Sequence, residues 1–143
     1  MTPATVVGRH IVFPTWTARE SAWELCDYKA RPWWKLRKHA YKLAYWPDAD
    51  AEPETDLDWG WIKGFERLRI GEMRIDETIN GRRNIRVIFF KCNVVCGSEP
   101  LPRIWLLDVF AKKRQDFGKG QLAAWKGART IIIDRHYGGS QRA

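Results

Sequence analysis

Alternating apolar and polar residues predict strands in two regions of the chain. The stretch RHIVF (residues 9–13) is a short strand candidate that ends at Pro14. In RIGEMRIDE (69–77) the apolar residues fall on one side of a strand, and Glu72 and Arg74 fall on the other. The period of two therefore predicts that these two charged side chains share one face of a sheet.

A hairpin and a third strand follow along the chain. Asn80-Gly81 is a strong turn signal, and IRVIFF (85–90) supplies the returning strand, which carries Arg86. After a connection rich in Cys, Gly and Pro, the stretch RIWLLDVF (103–110) predicts another strand of the same sheet.

Helical periodicity marks three other stretches. Thr15 or Thr17 can cap a first helix, which we expect to end near Arg31-Pro32 because a residue before proline is pushed out of the helical region. Apolar residues recur at helical spacing in 33–46, which predicts a second helix and therefore a helical hairpin. Residues 121–137 predict a terminal helix.

Together these elements predict an α+β fold with a small antiparallel sheet of about four strands, an N-terminal helical hairpin packed on one face, and a C-terminal helix. We expect the other face of the sheet to be partly open. The 143 residues fit a single domain, 1–143. Within it, residues 47–58 hold six acids, two prolines and no Lys or Arg, which favours a solvated connecting loop over an acidic segment that folds onto a basic cleft.

Positive charge is concentrated in the C-terminal part of the chain. The formal net charge is +8, and residues 1–60 contain 8 Lys/Arg and 9 Asp/Glu, whereas residues 61–143 contain 17 and 8. A cationic surface of this kind favours polyanionic partners, of which nucleic acid is the commonest. A charged surface that only keeps the protein soluble gives the same composition.

The nine tryptophans and three cysteines are interpreted as packing residues and free thiols. An indole buries a large area and needs one hydrogen-bond partner, which favours core positions over a base-stacking surface. Cys92 and Cys96 lack two further zinc ligands at a recognisable spacing, so we expect no metal and no other cofactor. No apolar run approaches the roughly 20 residues that cross a bilayer, and no secretory segment is recognisable. We therefore expect a cytoplasmic protein without membrane contacts.

The last predicted strand ends on three adjacent cations, Lys112, Lys113 and Arg114. Such a cluster either keeps a strand end soluble or binds an anion. Arg74, Arg86 and Lys112 or Lys113 belong to three neighbouring predicted strands, and if the registers of these strands match, the cations converge on the open face of the sheet. The arginine fork suits phosphate, so Arg74 and Arg86 are candidate phosphate ligands.

In order and spacing, GEMRID, the turn, IRVIFF and IWLLDVFAKKRQ resemble the RelE/HigB superfamily of bacterial toxins, in particular its phage-associated HigB-like branch. In that branch a glutamate-x-arginine strand, an arginine-bearing strand and an apolar strand ending in F-x-K-K succeed one another. The resemblance covers about residues 66–137. It implies a type II toxin that cleaves mRNA on translating ribosomes, inhibits translation, and is neutralised by a cognate antitoxin, which we expect to contain a helix-turn-helix.

The implied reaction assigns roles to these residues. The ribose 2′-hydroxyl attacks the adjacent phosphate, so the site must take up a proton, stabilise phosphate charge and protonate the leaving oxygen. Arg74 and Arg86 are assigned to charge stabilisation. Lys112 or Lys113 is the candidate acid or base, because neighbouring cations disfavour the charged form of a lysine. Glu72 is interpreted as a structural ion-pair partner of an arginine.

The resemblance also implies functional residues near the C-terminus. His136 has a side chain suited to proton transfer near neutral pH, and Tyr137 can stack on a base or donate a proton. The alternative is a frayed helix end, where a cation interacts favourably with the helix dipole. Further contacts to RNA are assigned to four cations: Arg69, Arg83, Arg114 and Lys119.

Two alternative functions remain open at this point. A ParE-like member of the same fold inhibits DNA gyrase without cleaving RNA, and a non-catalytic member only binds nucleic acid or an antitoxin. Fold alone does not decide among these functions, so the site has to be considered directly.

Overall fold

The chain forms a mixed sheet with helices on both faces, which confirms the predicted α+β class. The computed structural model describes residues 9–46 and 57–138, so most of the acidic stretch 47–58 lies outside the described residues. The strands are β1 (Ile11–Pro14), β2 (Asp58–Trp61), β3 (Ile70–Ile75), β4 (Ile85–Val95) and β5 (Pro102–Ala111). The helices are α1 (Trp16–Leu25), α2 (Ala30–Ala40) and α3 (Lys119–His136), with a short 3-10 helix at Tyr41–Tyr45.

The five strands lie in the order β1-β5-β4-β3-β2. Neighbouring strands are antiparallel except for β1, which runs parallel to β5 and pairs Ile11 with Arg103. The prediction of about four antiparallel strands is therefore wrong in the number of strands and in the direction of β1. Strand β2 has only four residues and follows an acidic stretch, which obscures its short alternation, and the partner of β1 lies far away in the sequence, so its direction has no local signal.

The predicted hairpin of β3 and β4 is confirmed. Asn80 and Gly81 both have positive φ, at 52° and 73°, as a two-residue turn between right-twisted strands requires. Ile79 and Arg82 form a bridge on either side of this turn. Three residues (76–78) on one side face two (83–84) on the other, so the register shifts by one between this turn and the strands, and Arg74 lies directly opposite Arg86.

The helical hairpin is confirmed, but the boundary between its helices is not where we expected it. Thr15 caps α1, and its side-chain oxygen accepts a hydrogen bond of 3.2 Å from the Ala18 N–H. The chain leaves the helix at Asp27 and Tyr28, which have φ of 50° and 57°. Pro32 lies in the first turn of α2, where a helix tolerates proline because no backbone N–H is needed there.

Both faces of the sheet are covered by helices. The hairpin packs on one face, where Trp46 and Phe89 are completely buried. Helix α3 packs on the other face, where Trp125 and Ile132 contact a cluster that includes Phe90. We expected this second face to be partly open. It is open only outside the cluster, because removing the apolar residues of the cluster from water stabilises the packing of α3 on them.

Most tryptophans pack in the interior, as expected. Trp46, Trp105 and Trp125 are buried, whereas Trp16 and Trp34 are 74% and 59% exposed. The exposed pair lies on α1 and α2, so the helical hairpin presents indole rings to solvent.

Candidate functional site

Arg74 and Arg86 project side by side from the β3–β4 hairpin, near the end that leads into its turn. They are directly opposite each other in the register and share the face of the sheet on which α3 packs. Two like charges in this position repel each other and destabilise the strand pair. Some compensating interaction is therefore expected nearby.

Glu72 supplies that compensation from the same face of β3. Its Oε1 lies 3.1 Å from Arg74 Nε and 3.7 Å from Arg86 Nε, and its side chain is only 9% exposed. The predicted structural ion pair of Glu72 with an arginine is therefore present. This carboxylate lies between the two guanidinium groups and offsets their mutual repulsion, but it is close enough to orient only Arg74.

Asp58 is the second carboxylate beside the pair. It lies on β2, opposite Arg74, and its Oδ1 accepts a hydrogen bond of 2.7 Å from Arg74 Nη1. The Asp58 side chain is 64% exposed, so this ion pair is open to solvent and to competing anions.

Arg86 retains unused hydrogen-bond capacity. Its side chain is 16% exposed, and within the described residues its hydrogen bonds are limited to a contact of 3.5 Å from Nη1 to the Ile85 carbonyl. Its Nε is buried without a hydrogen-bond partner among the described residues, because Glu72 lies beyond hydrogen-bond distance. Because Nε is shielded from solvent beside Glu72, an anion can bind Arg86 only through the Nη groups, where the side chain reaches the surface.

A cavity of about 400 Å³ opens beside the two arginines. Arg74, Arg83 and Arg86 line it together with Asp58, Asp76, Thr78, Ile75 and Asn84. This volume falls within the range of ordinary ligand sites. The three guanidinium groups give the cavity the donors that a phosphate group requires.

A second cavity, of about 290 Å³, lies on the other side of Glu72. Lys112, Lys63, Gln115, Asp116 and Phe117 are among its lining residues. The Lys112 ammonium lies 4.5 Å from the centroid of the Phe117 ring. The backbone N–H of Lys112 donates a hydrogen bond of 2.8 Å to the Asn84 carbonyl. The end of β5 is thereby held against β4, with Lys112 beside the arginine pair.

The other predicted cations near this end of the sheet point into solvent. Lys113 and Arg114 are exposed after β5, Lys119 is exposed at the start of α3, and Arg83 is exposed at the rim of the larger cavity. They can add positive potential to the site without contacting Glu72. Of the adjacent pair Lys112 and Lys113, only Lys112 lines a described cavity.

His136 and Tyr137 lie at the opposite end of the sheet. The His136 ring is 4.8 Å from the Trp105 ring, and the Tyr137 hydroxyl accepts a hydrogen bond of 3.0 Å from Trp105 Nε1. Trp105 precedes Phe110, the partner of Arg86, by five residues, which places it roughly 15 Å away along β5. The structure therefore does not bring His136 and Tyr137 together with the arginines.

The environment of Tyr137 is that of a packing residue. Burial raises the pKa of its phenol above the ordinary value, and a hydrogen bond to Cys92 acts in the same direction. At neutral pH this phenol holds its proton. The hydroxyl ties the end of α3 to the sheet through Trp105.

Arg69 is also separate from the arginine pair. Its Nε donates to the Lys91 carbonyl at 3.2 Å, and its guanidinium lies 5.2 Å from the centroid of the Trp61 ring. Its φ of 60° marks a sharp bend just before β3. These contacts hold the entry to the strand, whereas the RNA contact assigned to Arg69 remains a prediction.

Asp58 and Phe117 are the site residues that sequence reasoning missed. Asp58 was assigned to an acidic loop, although Trp59 and Trp61 recur with the period of two that indicates a strand. Phe117 lies between β5 and α3, where it contacts Trp125 with ring centroids 5.0 Å apart. A single aromatic residue in a connection gives no comparable signal.

The described residues provide neither an evident metal site nor a membrane span. No group of three or more His, Cys, Asp or Glu side chains in residues 9–46 and 57–138 is placed to hold a metal ion. Within the same ranges, none of the helices combines the length and the apolar character that crossing a bilayer requires. Cys26, Cys92 and Cys96 are free thiols.

Comparison of the chain with protein-family models, with curated proteins and with solved structures finds no match in any of the three. The function of the chain is therefore inferred from the residues of this site and from the sequence resemblance described above.

Proposed function

We propose that the chain is the toxin of a type II toxin-antitoxin system and acts as a ribosome-dependent mRNA endoribonuclease of the RelE/HigB kind. The observation that carries this proposal is the Arg74–Arg86 pair, in which Arg86 has unused donors beside a cavity lined by three arginines. The motifs of the RelE/HigB resemblance supply this same pair, from GEMRID and IRVIFF. The site and the resemblance therefore support the proposal through the same two residues.

The two guanidinium groups are suited to the charge that develops during cleavage. Attack of the 2′-hydroxyl on the adjacent phosphate places extra negative charge on the phosphate oxygens, and fixed donors aimed at that charge lower the barrier. The ion pair with Glu72 holds Arg74 in place before substrate binds, and Arg86 is held by its position opposite Arg74 in the sheet. A phosphate would replace the exposed Asp58 carboxylate at Arg74.

Proton transfer requires a different group, because arginine does not titrate usefully. Lys112 lines the cavity on the other side of Glu72 and is the lysine best placed to protonate the leaving oxygen, while the proton of the attacking 2′-hydroxyl passes to water. Lys113, Arg114, Arg83 and Lys119 are proposed to hold flanking phosphates. His136 and Tyr137 would have to act on a different part of the substrate.

The proposal implies specific partners and a cellular location. The substrate is mRNA bound to the ribosome, and the neutralising partner is a cognate antitoxin that contains a helix-turn-helix. Both partners place the protein in the cytoplasm. No cofactor is needed, since the nucleophile belongs to the RNA itself.

A non-catalytic member of the fold, which binds RNA or an antitoxin without cleavage, is the second candidate. The carboxylates of Glu72 and Asp58 already balance the charge of Arg74, and His136 lies away from the pair. This arrangement is compatible with a surface that binds RNA and lacks a proton-transfer group.

Mapping of RNA 5′ ends after a brief induction of the protein in bacteria tests the proposal. Attack by the 2′-hydroxyl leaves a 5′-hydroxyl on the downstream fragment, so we expect new 5′-hydroxyl ends inside coding regions. These ends should be missing when translation initiation is blocked. Growth arrest with intact mRNA and altered DNA supercoiling would instead indicate a ParE-like gyrase inhibitor, and the proposal would be wrong.

A further inference from the structure

Helix α2 carries an unusual concentration of positive charge on its solvent side. Residues 29–42 contain six Lys/Arg and no Asp/Glu. Arg31, Trp34, Lys35 and Lys38 recur at helical spacing, and all four are exposed. We call these four residues the α2 face. The buried Leu36 lies on the opposite side of the helix, so the α2 face takes no part in packing the core.

The cations at the start of α2 oppose the electrostatic preference of the helix, whereas Lys38 lies in the last turn, where positive charge is favourable. Lys29 occupies the N-cap without a side-chain hydrogen bond, and Arg31 lies in a first turn that has no acid. Positive charge near a helix N-terminus opposes the helix dipole and destabilises the helix. Residues that break a local rule in this way are expected where a function requires them.

Trp34 adds a large aromatic surface to the cations. It is 59% exposed, and the Arg37 guanidinium lies 5.4 Å from its ring centroid. Cations alternating with an exposed aromatic ring are the arrangement with which proteins hold single-stranded nucleic acid, where phosphates contact the cations and a base stacks on the ring. An anionic membrane fits less well, because one exposed indole offers too little apolar area to insert into lipid.

The α2 face and the arginine pair lie on opposite faces of the sheet and approach each other at the end of β3. Lys35 Nζ lies 3.8 Å from Glu77 Oε1, and His39 Nε2 lies 2.6 Å from Glu77 Oε2. Glu77 in turn lines a cavity of about 460 Å³ together with Asp58, Asp76 and Arg74. An RNA strand on the α2 face would therefore have to pass these carboxylates, around the end of β3, to reach Arg74.

From this charge, exposure and position, we infer that the α2 face is a second binding surface, for a single-stranded segment of RNA. Arg31, Lys35 and Lys38 contact successive phosphates, and Trp34 stacks on one base. The inference deepens the proposed function by adding a contact for the same RNA, but binding at the α2 face does not require that the chain cleave RNA.

Binding of a fluorescent 2′-O-methyl RNA of about 12 nucleotides tests the inference, since this probe lacks the nucleophile needed for cleavage and is within the usual site size. The test variant is Arg31→Gln with Lys38→Gln. The matched control is Lys126→Gln with Arg135→Gln, which removes the same charge from exposed positions of α3. Circular dichroism checks that both variants fold like the natural chain.

We expect the α2 variant to bind the RNA at least about tenfold more weakly than the natural chain. The slope of log K against log [salt] should also become shallower by about 1.4, because two phosphate contacts are lost. Trp34→Ala should weaken binding by about tenfold, and the α3 control by less than about twofold. Equal weakening in the α2 and α3 variants would overturn the inference. So would an unmodified chain that binds phosphatidylserine vesicles or an acidic protein but not this RNA.

The outcome is independent of the test for cleavage. If growth arrest leaves mRNA intact but the α2 variant loses the probe, the inference stands and the proposed function fails. If new mRNA ends appear while the α2 and α3 variants bind alike, the proposed function stands and the inference fails.

Discussion

Replacing Arg74 and Arg86 together with glutamine is expected to abolish growth arrest and to remove the new 5′-hydroxyl ends. Each fixed donor at a developing anion is worth about 10²- to 10³-fold in rate, so losing both guanidinium groups should reduce cleavage by about 10⁴-fold or more. Glutamine retains an N–H donor for Glu72, which would otherwise be left as a nearly buried carboxylate without its partners. The measurement is the rate of appearance of RNA 5′ ends after induction.

The control for this experiment removes the same charge elsewhere. Arg82 and Arg135 are both exposed, and changing both to glutamine lowers the net charge equally without touching the site. This variant should arrest growth like the natural chain. Arg86→Lys adds a second comparison, because it retains the charge and loses the planar fork that binds two phosphate oxygens. Full activity in the Arg74 and Arg86 double variant would exclude the arginine pair from the chemistry.

Trp46→Ala is expected to destabilise the fold more than any exposed substitution. The indole is completely buried after the short 3-10 helix, with its ring centroid 4.2 Å from that of Trp59 and 5.4 Å from that of Phe89. Truncating such a side chain costs about 3–5 kcal/mol, because the transfer energy is lost and a cavity remains. For a chain of this size we expect the melting temperature to fall by roughly 10 °C or more.

Trp16→Ala is the matched control, since it deletes the same side chain from a position that is 74% exposed. A substitution at such an exposed position should change the free energy of unfolding by no more than about 0.5 kcal/mol. Thermal denaturation of the two variants under one condition compares them. Similar melting temperatures for both would contradict the assignment of Trp46 to the core.

The hairpin at the centre of the site could be predicted because its signals are local. Alternation in 69–77 puts Glu72 and Arg74 on one face, and Asn80-Gly81 indicates the turn between the two strands. The exact register could not be predicted from these signals. Counted from the Ile79–Arg82 pair, a regular hairpin would place Arg86 opposite Ile75, and a shift of one residue between the turn and the strands places it opposite Arg74 instead.

The parts that could not be predicted depend on distant partners. Strand β1 finds a parallel neighbour in β5, and α3 covers a face that we expected to be partly open. The separation of His136 from the arginines has the same origin, since it follows from the direction in which α3 crosses the sheet. No pattern within a single segment specifies that direction.

The predicted position of the boundary between α1 and α2 was wrong for a different reason. Proline was taken as a stop signal, but Pro32 occupies the first turn of α2, where its missing N–H costs nothing. The true break has no glycine or proline, because Asp27 and Tyr28 adopt the left-handed conformation instead. Residue type alone therefore indicated the wrong position.

NMR observation of arginine Nε–Hε signals during titration with the 2′-O-methyl RNA shows whether Arg74 and Arg86 contact RNA phosphate. We expect the Arg74 and Arg86 signals to shift as RNA is added, with the same dissociation constant that the fluorescent RNA gives. The signals of Arg103, held by Glu99 at 2.7 Å, and Arg129, which donates to the Leu68 carbonyl at 2.8 Å, should stay in place. Saturated binding with unchanged Arg74 and Arg86 signals would contradict the account.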